Sequence, residues 1–127
     1  MTNTFEATAW DEHNFAEIEG GVKLAHAKVS YKYAGHLEGE SSSFGVLTYL
    51  PEGNGTYFGT ELFTGKIDGK QGAVVLQQTG TFDAEHITGT WTIAPGSGSG
   101  ELEGATGTGS FDMKMGTPTA EYAFAQE

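Results

Sequence analysis

Glu61 stands two residues before Phe63 and four after Tyr57, sharing their parity in a strand-like stretch. A carboxyl group carried on an apolar face is removed from water, which disfavours its charged form and lifts its pKa toward the range where a side chain exchanges protons usefully. With a tyrosine nearby, Glu61 is therefore a candidate for acid–base chemistry of the isomerase or cyclase type. Gln78 raises the same point, because it shares parity with Val74, Leu76 and Phe82. The plainer reading of both is a hydrogen-bonded polar group inside a folded sheet.

Other residues that do chemistry elsewhere are not arranged for it here. His13, His26, His36 and His86 lack the i, i+2 or i, i+4 spacing that metal sites use. Asp11-Glu12-His13, with Glu17 and Glu19 close by, lacks the spacing of a calcium loop and reads as a solvated acidic segment. No metal and no cofactor is expected. Ser97 has Pro95 where a nucleophile elbow requires glycine.

The glycine-rich run from Pro95 to Phe111 looks like a phosphate loop but lacks Gly-Lys-Ser/Thr, and it carries Glu101 and Glu103 where an anion would sit. An internal echo argues against a flexible linker. Ile67-Asp68-Gly69-Lys70-Gln71-Gly72 and Leu102-Glu103-Gly104-Ala105-Thr106-Gly107 share one pattern: apolar, acidic, Gly, two free positions, Gly. The pattern predicts two equivalent hairpin corners, the first glycine at positive φ and the second at a bulge or close backbone approach.

The elements that must position these residues are strands. Ala25, Ala27, Val29, Tyr31 and Tyr33 alternate with polar residues over a stretch whose alanines and lysines would otherwise suit a helix. Phe58 and Leu62 alternate with Tyr57, Glu61 and Phe63, and Ile87, Trp91 and Ile93 alternate with threonines. Pro51 to Gly55 and Asp68-Gly69 supply turn chemistry. Eight strands are expected, near 3–10, 22–35, 38–50, 55–67, 71–82, 86–94, 101–114 and 119–126. The fold class is all-β: an eight-stranded antiparallel up-and-down barrel in one domain over residues 1–127, with a two-sheet sandwich as rival. Trp10 to Gly21 shows no alternation and is expected to be a loop or a helical turn across one mouth.

Composition bounds the rest. A chain of 127 residues buries a little under about 70% of its unfolded surface, enough for a core without staples. It has no cysteine, which excludes disulfides, thiol nucleophiles and zinc–thiolate sites. A net charge of −11, with six lysines in no run, argues against nucleic acid as a partner. No signal peptide or apolar run long enough to cross a membrane is visible, so the expected location is cytoplasmic, without a membrane partner. Twenty glycines exceed the roughly nine expected at average usage of about 7%, and the fold must use them.

The sequence resembles a bacterial domain-of-unknown-function family of small proteins whose members adopt an allene oxide cyclase-like β-barrel. The likeness rests on Trp10-Asp11-Glu12, Gly59-Thr60-Glu61-Leu62-Phe63-Thr64-Gly65, Gly80-Thr81-Phe82-Asp83, Gly89-Thr90-Trp91 and Pro95 to Leu102. It covers nearly the whole chain. The resemblance implies the eight-stranded barrel and brings no assigned chemistry with it.

The interior candidates are Tyr31, Tyr33, Phe58, Glu61, Phe63, Gln78 and Trp91, bordering a cavity for one small apolar or amphipathic molecule. Which face of each strand lines it is open, because Phe58 and Leu62 are as apolar as Tyr57 and Phe63. The face left outside is expected to pack against a second copy, as a dimer or trimer.

Overall fold

The computed structural model of the chain describes residues 2–117 and 119–126. Among the described residues alternation is realised as nine antiparallel strands: β1 (Thr4–Ile18), β2 (Val22–Ala34), β3 (Leu37–Tyr49), β4 (Gly55–Ile67), β5 (Lys70–Phe82), β6 (His86–Ile93), β7 (Ser99–Gly100), β8 (Gly107–Lys114) and β9 (Thr119–Gln126). No helix long and apolar enough to cross a membrane occurs among the described residues. In β2 the helix-compatible stretch is a strand, because Ala25, Ala27, Val29 and Tyr33 are buried while Lys28 and Lys32 are exposed.

Strands β1 to β6 pair in chain order, β6 pairs with β8, and β8 with β9. Thr4, Phe5 and Glu6 then pair with Glu121, Ala120 and Thr119, closing a ring of hydrogen bonds through eight strands. The short β7 extends the ladder on β5: Ser99 and Gly100 pair with Ala73 and Gly72, just past the point where β6 ends. The β4–β5 hairpin turns on Asp68 (φ 49°) and Gly69 (φ 83°), both left-handed as a two-residue type I′ corner requires.

Two expectations are corrected. Trp10 to Ile18 is neither loop nor helical turn but the second half of β1, paired with β2 as far as Ile18–Val22. Register shifts between Ala7 and Ala9 and between Asn14 and Ala16 interrupt the period of two, which hides the strand from a search for alternation. The strand expected at 101–114 starts only at Gly107, because Glu101 to Gly104 form turns. Gly104 takes positive φ, as Gly69 does, yet only the earlier of the two echoed segments is a hairpin corner. The later one leads from β7 across the end of the ring into β8.

That crossing closes one end. Leu102 is buried and packs with Ile67, Val74, Ile93, Phe63, Leu37 and Trp91 in a continuous core. The segment is held by Val75 N–H donating to Ser97 Oγ (3.0 Å) and Ser97 Oγ donating to the Ala94 carbonyl (2.7 Å). The glycine-rich run is thus a packed plug. Glycines inside the ring make room for aromatic rings: a Cβ on Gly109 would meet Trp91 at 2.1 Å, and one on Gly89 would meet the Tyr57 hydroxyl at 2.1 Å. Space for those rings accounts for part of the glycine excess.

Candidate functional site

Glu61 lies at mid-height of the ring, between the packed core at the closed end and a cavity at the other. Its side chain faces inward from β4 and is fully buried. Tyr33 Oη, from β2, donates to one carboxyl oxygen at 2.6 Å, and Gln78 Nε2, from β5, donates to the other. Ser41, on β3, is buried beside them; its hydroxyl lies near enough to favour the carboxylate, but the oxygen falls outside hydrogen-bond geometry. Burial pushes the Glu61 pKa up, and Ser41, Tyr33 and Gln78 oppose that shift. Burial first, and the Glu61 charge second, hold the phenols of Tyr31, Tyr33 and Tyr57 well above their ordinary range.

The cavity occupies the open half of the ring, with a volume of about 490 Å³. Ala27, Val29, Leu47, Phe82, Phe111 and Met113 supply apolar wall; Tyr31, Ser43, Tyr57 and Gln78 supply polar groups. The Tyr57 ring reaches from β4 over Gly80 and Gly89. Its hydroxyl is buried and has no hydrogen-bond partner among the described residues. At the mouth, Glu12 accepts from Trp10 Nε1 at 3.0 Å and, through its other oxygen, from Tyr49 Oη. Tyr49 packs edge-on against Phe82, ring centroids 4.9 Å apart. Trp10 and Glu12 reach the rim of the cavity because the bulge after Ala7 inverts the parity of β1: they pair with Val29 and Ala27, both of which face inward, while Trp10 itself stays exposed.

The residues expected to border the interior divide into four groups. Tyr31 and Gln78 line the cavity. Tyr33, Phe63 and Trp91 belong to the packed core. Glu61 lies behind the wall, reached through Gln78. Phe58 is corrected: it faces outward with 59% of its surface exposed, because even-numbered residues of β4 point away from the interior. Sequence reasoning missed Trp10, Glu12 and Tyr49 at the mouth. The signal was present as Trp10-Asp11-Glu12, but without the bulge its parity could not be assigned. His13 lies beside Asp11 (2.7 Å) and opposite His26, their ring centroids 5.6 Å apart, while His36 lies beside Asp68 (2.5 Å) and His86 beside Asp112 (2.8 Å).

Comparison with known proteins adds ancestry rather than chemistry. No curated protein matches the chain. A crystal structure of a protein with unknown function from the DUF3224 family of Shewanella oneidensis MR-1 is similar at 27% identity and a TM-score of 0.74, the match covering 100% of this chain and 98% of that one. Residues 1–125 match the family described as protein of unknown function (DUF3224). The chain belongs to the DUF3224 family.

Proposed function

We propose that the ring is a barrel, of the allene oxide cyclase-like kind, that binds one small amphipathic molecule in its open half. The observation that carries this reading is the cavity: about 490 Å³, walled by aliphatic and aromatic side chains with few polar groups, while the opposite half holds the continuous hydrophobic core. Ligand sites have this size and composition. An isomerase or cyclase acting through Glu61 has less support, since both carboxyl oxygens accept internal hydrogen bonds and Glu61 does not line the cavity.

The neutral probe N-phenyl-1-naphthylamine tests the reading. Its fluorescence is expected to rise on saturable binding, one per chain, and Leu47→Trp, which fills the cavity, is expected to abolish the rise without lowering the unfolding temperature. Absence of binding to the wild-type chain overturns the reading.

A second reading, self-association, rests on the outside of the ring. Phe15, Phe44, Phe58 and Leu62 are each at least half exposed, at 53%, 50%, 59% and 53%. His26 stacks between Phe15 and Phe44, so the aromatic strip is continuous across β1, β2 and β3, and Phe58 lies beyond it opposite Val46. Exposed apolar surface of this extent marks contact sites, and a second copy is the occupant proposed for it.

A further inference from the structure

The charges at the cavity share one sign. Among the described residues its lining includes two ionisable carboxyl groups, Glu12 and Asp83, and no lysine or histidine. The lysine nearest in register, Lys28, pairs with Asp11 and is exposed on the outer face of β2, the side opposite to that of Ala27 and Val29. The chain as a whole carries −11. An anionic amphipath, such as a fatty acid, would therefore bring its head group against like charge, with no lysine or histidine in the lining among the described residues to receive it. Glu12 is also fixed in place by Trp10 and Tyr49, so a carboxylate stands between two aromatic side chains at the entrance to an apolar chamber. Carboxylate and ring faces together form the surroundings that attract ammonium groups.

From this arrangement we infer that the ligand is an amphipathic cation: its apolar body fills the cavity and its ammonium group rests at the mouth against Glu12, between the rings of Trp10 and Tyr49. The inference depends on the ligand-binding reading above and adds the class of ligand. Asp83 holds the turn that leads into β6, accepting from the Glu85 and His86 amides at 2.7 and 2.8 Å, so it contributes field rather than a movable contact.

Decyltrimethylammonium, decanol and decanoate, each below its micelle concentration, separate the two claims in titration calorimetry. The ammonium is expected to bind about tenfold more tightly than the alcohol, and the carboxylate more weakly than either. Glu12→Gln, whose oxygen can still accept from Trp10 while its amide donates to the Tyr49 hydroxyl, is expected to bring the ammonium down to the alcohol's affinity and leave the alcohol unchanged. In the wild-type chain, added salt is expected to narrow the preference in the same direction. Leu47→Trp must remove both ligands; ammonium binding that survives it is adsorption to the acidic surface and overturns the inference. Alcohol binding without ammonium preference overturns the inference alone. Failure of all three ligands overturns the ligand-binding reading as well.

Discussion

Glu61 shows how one buried carboxyl couples the fold to pH. Its pKa in the folded chain is raised by burial, so between the ordinary carboxylate value and the raised one the folded chain holds a proton that the unfolded chain has lost. The stability that follows is complete below the unfolded value and is lost as pH rises through the folded value. Glu61→Gln has no such slope, and the Tyr33 hydroxyl can turn to accept from the new amide. Urea denaturation from about pH 4 to about pH 8 is expected to show the variant gaining on the wild-type chain as pH rises; a constant gap contradicts the assignment. Tyr57 offers a second test, because its buried hydroxyl has no partner among the described residues and so carries an unrecovered desolvation cost. Tyr57→Phe keeps the ring and removes that cost, and is expected to stabilise the fold by about 1 kcal/mol. A loss of similar size would mean that the hydroxyl is paired.

Among the elements, close fit between strands matters as much as hydrogen bonding. Gly109 on β8 pairs directly with Trp91 on β6, and the indole lies where its side chain would be. In an open strand, exchanging glycine for alanine usually helps, since it reduces the freedom of the unfolded chain. Here the sign reverses: Gly109→Ala is expected to cost about 1–3 kcal/mol in chemical denaturation, because the indole must leave its rotamer or the strands must part. The bulges of β1 work in the opposite way, through an added residue rather than a missing side chain. One residue more between Ala7 and Ala9 carries Trp10 and Glu12 from the outside of the ring to the mouth of the cavity.

Taken whole, the molecule is a ring closed at one end by Leu102 and its glycine-rich segment, open at the other, and strongly acidic. Two copies approaching through solvent repel each other, and screening weakens that repulsion. If the outer strip of Phe15, Phe44, Phe58 and Leu62 joins two chains, sedimentation velocity is expected to show association that strengthens with salt. Phe58→Glu, whose side chain sits on the outside and supports nothing within, is then expected to give a monomer with unchanged unfolding temperature. A wild-type chain that remains monomeric at every salt concentration rules out this use of the strip.

The sequence by itself determined what depends on neighbours along the chain. Alternation in β2 and β4, the Asp68-Gly69 corner and the shared parity of Glu61 with Phe63 were all legible, because strand period and turn torsions are local properties, whereas the inward face of β4 was not. So was the absence of phosphate-loop and thiol chemistry, which requires particular residue types. Tertiary structure alone decided what depends on residues far apart in the chain. It placed Phe58 outside the ring and Trp91 against Gly109, and it turned the run from Pro95 to Phe111 into a plug. It also brought Glu12, Trp10 and Tyr49 to one rim, because a bulge can reverse parity and strand pairing alone sets which distant side chains share a space.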